Sequence, residues 1–109
     1  MSKKYEVVFA TNALRDLNDI FYYISHSLKE TQTANRMRKS LEDAAQSLNV
    51  FPERYPVFER EPWKSQNIRK LSVKRYIILY RVQHRNQTVE ILRIVYGGRD
   101  IDSMKIIDD

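Results

Sequence analysis

The 109-residue chain predicts an α+β fold: an N-terminal strand, then an αα-hairpin packed on one face of a mainly antiparallel sheet, in the order β-α-α-β-β-β. Three observations predict it. Two stretches in the first half place apolar residues three and four apart, with a short polar link between them. Two runs near the C-terminus are rich in Val, Ile, Leu and Tyr and flank a short polar turn. A weakly alternating run, Lys4 to Phe9, precedes the first helical stretch.

In that first run Tyr5, Val7 and Phe9 share one face, as the period of two requires. Thr11 and Asn12 are residues whose side-chain oxygens suit a helix N-cap. Ala13, Leu14, Leu17, Ile20, Phe21, Ile24 and Leu28 then recur at helical spacing, with Arg15, Asp16, Asn18 and Asp19 on the wet side. Tyr22 and Tyr23 widen the stripe. The polar link 29–33 offers Thr31 or Thr33 as the next cap. A second helix is expected from about Ala34 to Leu48, with Ala34, Met37, Leu41, Ala44, Ala45 and Leu48 as its stripe. Met37 and the tyrosines read as core filler. The expected buried set is Leu14, Leu17, Phe21, Ile24, Met37, Leu41 and Leu48. Pro52 stops the second helix. The connection from Phe51 to Gln66 is long and holds all three prolines. Phe51, Tyr55, Phe58 and Trp63 supply apolar area to fold it back on the core.

A basic strand follows, Asn67 to Val73. Then Tyr76–Val82 puts Tyr76, Ile78, Tyr80 and Val82 on one face, and Ile77, Leu79 and Arg81 on the other. Val89–Tyr96 puts Val89, Ile91, Arg93 and Val95 on one face, and Glu90, Leu92, Ile94 and Tyr96 on the other. Residues 85–87 form the turn, with Asn86 suited to positive φ. Both faces of both strands are largely apolar, unlike a sheet with one wet face. The hairpin covers one. The second needs another cover, the C-terminal run Met104–Ile107 or a partner.

Length and composition indicate one domain spanning the chain. No apolar run approaches ~20 residues, so no membrane span is expected. The N-terminus lacks a signal-peptide core, which points to the cytoplasm. There is no cysteine, hence no disulfide or thiolate chemistry. No Cys/His metal spacing, glycine-rich phosphate loop or Ser-His pairing is present, and no cofactor is implied. The net charge of +5 is unevenly spread. Residues 1–59 are neutral, residues 60–99 carry +8, and residues 100–109 carry −3. Positive charge concentrated on the strand region suggests a binding surface for nucleic acid or an acidic protein segment.

The element order, with A-x-x-D-L-x-x-I at Ala13–Ile20, Tyr76, Ile78, Tyr80, Arg81 and Val82, and the end Tyr96, Gly97, Arg99, Asp100, resembles the RelE/ParE superfamily of bacterial type II toxins, most closely the ParE (plasmid stabilisation) branch. The resemblance implies a growth-inhibiting toxin held inactive by a cognate antitoxin protein. It implies DNA gyrase as the target in the ParE branch. In the RelE branch it implies metal-independent cleavage of ribosome-bound mRNA, an mRNA interferase activity. A plain basic nucleic-acid-binding module is the remaining alternative.

RNA cleavage needs a base for the 2′-OH, an acid for the leaving oxygen and cations for the developing charge. Arg69, Lys70, Lys74, Arg75, Arg81, Arg93 and Arg99 supply cations and are the candidate binding residues for target or antitoxin. Arg99 matches the RelE-like arginine after the last strand, and Tyr96 would be the acid. The arginine that RelE-like enzymes carry before the central strand falls at about Ser72, and their C-terminal tyrosine at about Lys105. These departures favour a binding inhibitor. His26 and His84 read as surface residues.

Overall fold

The computed structural model describes residues 4–97. β1 (Glu6–Phe9) leads into α1 (Thr11–Tyr22), which continues as a π-helical turn, Tyr23–Ser27. After α2 (Thr31–Gln46) the chain makes single 3₁₀ turns at Ser47–Asn49, Pro52–Arg54 and Lys64–Gln66. Three strands close the fold: β2 (Arg69–Val73), β3 (Tyr76–Gln83) and β4 (Thr88–Tyr96). The sheet order is β1-β4-β3-β2, with β1 parallel to β4 and the other pairs antiparallel. A mainly antiparallel sheet with a helical hairpin on one face is therefore what the chain forms.

The caps fall one to three residues earlier than expected. Ala10, in extended conformation, caps α1, and Glu30 caps α2, so Thr11, Thr31 and Thr33 lie inside the first turns. The helix-side core contains Ala13, Leu17, Leu41, Ala45 and Leu48 against Leu71, Ile78, Tyr80, Val89, Ile91 and Ile94. Tyr5, Val7 and Phe9 pack against it from β1, as their alternation predicts. Of the expected buried set, Phe21 and Met37 are half-buried and Leu14 is 47% exposed. Leu14 lies in the first turn of α1, at the edge of the stripe.

The second sheet face has its own cover. Phe58 and Trp63 from the proline-bearing connection, with Ile68 just before β2, bury Leu79, Leu92 and Val95. Phe58 and Trp63 meet edge-to-face, with centroids 5.5 Å apart. The connection thus does part of what the C-terminal run or a partner was expected to do; Met104–Ile107 lie outside the described residues. Phe51 is the exception in this segment: it is exposed, in left-handed conformation at φ 46°. The segment is held by Tyr80, whose fully buried hydroxyl donates to the Pro52 carbonyl at 2.6 Å. Burial pushes that phenol up to about 12, against the lowering influence of Arg69 and Arg54.

β4 departs from simple alternation. Leu79 faces Arg93 while Tyr80 faces Ile91, so Leu92 is an extra residue. This bulge moves Ile94 to the helix side and Val95 to the outer side, reversing the faces expected for these two. At the β3–β4 turn the positive φ falls on Gln87 at 50° rather than on Asn86.

Candidate functional site

The bulge sets up the chemistry at the far end of β4. β1 ends at the level of Ile91, so the Ile94 N–H faces α1 instead of a strand. Asp16 of α1 accepts it at 2.9 Å. The same carboxylate accepts from Arg93 Nε at 2.7 Å and Nη2 at 2.9 Å. Both side chains are shielded, 13% exposed for Asp16 and 15% for Arg93. A residue read as solvent-facing is thus a clamp between α1 and β4.

Beside this clamp lies a groove of about 800 Å³ between the helices and the sheet. Its floor is apolar: Ile20, Ile24, Met37 and Ile94. The π-helical turn shapes one wall. Its wider hydrogen bonding, with the Leu28 N–H reaching the Tyr23 carbonyl at 3.2 Å, brings Tyr23 and Leu28 to the mouth. Lys29 then adopts φ 55° and turns the chain, placing Glu30 at the same mouth.

A second cleft of about 380 Å³ lies around the β2–β3 turn, lined by Ser72, Lys74, Arg75, Tyr76, Ile77, Tyr96 and Gly97. Lys74 takes φ 55° in that two-residue turn, and both it and Arg75 are exposed. Arg75, Tyr76 and Tyr96 line both cavities, and the two tyrosine rings meet edge-to-face at 5.9 Å. Tyr76 is held above the usual phenol range by burial and by its neighbours Tyr23 and Tyr96, with Arg75 opposing. Tyr96, at the end of β4, is 51% exposed. Gly97 is required for close approach: its N–H donates to the Arg75 carbonyl at 2.8 Å, and a Cβ would sit 3.3 Å from that oxygen.

The candidate cations do not all serve one surface. Three are tied into the fold. Arg69 donates to the Glu53 and Tyr55 carbonyls and pairs with the Glu53 carboxylate at 3.3 Å. Arg81 pairs with Glu90 across the strands at 2.7 Å, and Arg93 pairs with Asp16. Lys70 lies over the Phe58 ring, 5.5 Å from its centroid. Lys74 and Arg75 are the ones the fold brings to the clefts with Tyr96; Arg99 lies outside the described residues. His84 is exposed at the opposite end of β3, 2.9 Å from the Tyr5 hydroxyl and 3.2 Å from the Glu53 carboxylate. His26 is exposed and stacked on Tyr22. The groove residues Asp19, Tyr23, Leu28 and Glu30 were missed by the sequence reading. Their one local signal is an apolar stripe too wide for a single helix contact, running through Tyr23 to Leu28.

A model of the ParE toxin of the type II toxin–antitoxin system parDE matches residues 7–101. The chain belongs to the ParE toxin family. This ParE-family chain is similar in structure to a chromosomal ParDE toxin–antitoxin system from P. aeruginosa, with a TM-score of 0.70 and 18% identity over 87% of this chain and 98% of that one. It is also similar to the toxin–antitoxin complex RelBE2 from Mycobacterium tuberculosis, with a TM-score of 0.60 and 26% identity over 85% and 98%. No curated protein matches it in sequence. Among the described residues no helix of this ParE-family chain is long and apolar enough to cross a membrane.

Proposed function

We propose that this ParE-family chain arrests growth by binding, with DNA gyrase as its target, and that a small antitoxin neutralises it by laying an amphipathic segment into the groove between the helices and the sheet. One observation carries the choice of binding over catalysis. At the cleft around Ser72, where the resemblance would put a RelE-like site, the described polar side chains are Ser72, Lys74, Arg75, Tyr76 and Tyr96. These are cations, phenols and a serine hydroxyl. Among them there is no carboxylate or imidazole to titrate near neutrality, where a general base works best. Tyr76 is displaced further from neutrality, and His84 stands at the other end of β3. Family membership and the toxin–antitoxin complexes among its structural neighbours support the antitoxin.

The exposed Tyr96 beside Lys74 and Arg75 favours a second reading, a RelE-like ribonuclease with Tyr96 and Arg99 as its working groups. A paired assay separates the two. Purified protein should inhibit supercoiling by gyrase and leave translated transcripts uncut in primer extension. Codon-specific cuts with gyrase unaffected would make it the ribonuclease. Under either reading, Arg75→Glu and Arg99→Ala should each weaken growth arrest on expression; full arrest by both variants would remove this end of the sheet from the mechanism.

A further inference from the structure

The groove is electrically polarised. Its helix wall carries Asp19 from α1 and Glu30 from the start of α2, and its sheet wall carries Arg75. Asp16, also on the helix wall, is already neutralised by Arg93. Neither Asp19 nor Glu30 is engaged in an ion pair among the described residues. Two unpaired carboxylates therefore flank an apolar floor in a protein whose net charge is +5. The overall field attracts an acidic partner. The groove itself selects differently: a segment lying in it meets negative charge along one flank and positive charge along the other.

We infer that the antitoxin segment seated in the groove carries a lysine or arginine on the flank facing Asp19 and Glu30 and a carboxylate on the flank facing Arg75, so that these three residues fix the rotational register of the segment and discriminate cognate from non-cognate partners. This rests on the groove being the antitoxin site. Apolar contacts with Ile20, Ile24 and Met37 hold any amphipathic segment of suitable size, because burial is non-directional. Charges across a partly desolvated groove do the discriminating, since a like-charge juxtaposition there is strongly penalised. A partner can be acidic over its whole length and still present this basic residue.

The test uses the full chain and the antitoxin encoded beside it, with affinity measured across a salt series. Asp19→Asn with Glu30→Gln, which keeps shape and removes charge, should weaken binding by about tenfold and flatten its salt dependence. Reversing the groove-facing basic residue of the antitoxin to Glu should weaken binding similarly, and the chain carrying Asp19→Lys and Glu30→Lys should restore it. Leu28→Asp serves as the control for the groove itself, because Leu28 lines it and is 48% exposed, and its unfolding midpoint is measured beside the parent's to show that it folds. If Leu28→Asp abolishes binding while the neutralised pair binds like the parent, the charge inference is overturned and the groove reading survives. If Leu28→Asp also binds like the parent, the groove is not the antitoxin site. A change in the oligomeric mass of the chain alone on Leu28→Asp would assign the groove to a second copy and overturn the inference.

Discussion

Removing the Asp16 carboxylate is expected to cost more stability than any other single polar truncation on α1. In Asp16→Ala the Arg93 guanidinium, only 15% exposed, loses its bidentate partner, and the Ile94 N–H loses its acceptor. Breaking a fully buried ion pair costs about 3–5 kcal/mol and orphaning a buried N–H about 1–3 kcal/mol, so this part-buried set sits toward the lower end of each. The two losses share one carboxylate and do not add fully, so about 4 kcal/mol is the expected total. That is a large part of the roughly 5–15 kcal/mol that stabilises a domain of this size. With a urea m-value of about 1.5 kcal/mol/M, the unfolding midpoint should fall by about 2–3 M. The double substitution Asp16→Leu, Arg93→Leu removes both charges and should recover most of the loss, leaving chiefly the Ile94 N–H uncompensated. A midpoint shift below about 0.5 M for Asp16→Ala, or a double variant no better than the single, would refute the clamp.

Two further outcomes follow from the fold. The Tyr80 phenol is raised in the folded state, so its contribution is fully present below pH 10 and is lost as pH rises through about 12, because the unfolded chain releases this proton first. Stability measured by urea titration should fall steeply over that window, and Tyr80→Phe should flatten the fall. Tyr80→Phe should also cost about 1–2 kcal/mol at neutral pH by orphaning the Pro52 carbonyl; an unchanged midpoint and pH profile would contradict the assignment. Trp63→Ala should cost about 3–5 kcal/mol and raise binding of a hydrophobic dye, since it uncovers Leu79, Leu92 and Val95; wild-type dye binding would mean that this face has another cover.

The helices, the strands and the family were legible because each is written in local pattern. Spacings of three and four around Leu17 and Leu41 create an apolar helical face whatever else the chain does. Alternation at Tyr5, Val7 and Phe9 does the same for a strand. Neutral helices followed by a basic strand region can be counted without a structure. What a pattern cannot supply is the partner of each face. Both faces of β3 and β4 were visibly apolar, but only the folded chain shows Phe58 and Trp63 lying on the outer one.

The same limit governs the site. Seventy-seven positions separate Asp16 from Arg93, so nothing local distinguishes Asp16 from the solvated Asp19 three residues on. The bulge at Leu92 is a mismatch between two strands; it turns Ile94 to the helix side, and the end of β1 at Ile91 leaves the Ile94 N–H for Asp16. Arg69, Arg81 and Arg93 looked interchangeable with Lys74 and Arg75 as binding cations, because charge is a property of the residue and pairing is a property of the fold. By itself the sequence determined the secondary structure, the sign and placement of the charge and the family. The tertiary structure decided which charges are consumed internally, which remain at the groove, and that a groove exists. Those depend on side chains meeting across the chain, and local periodicity carries no information about who meets whom.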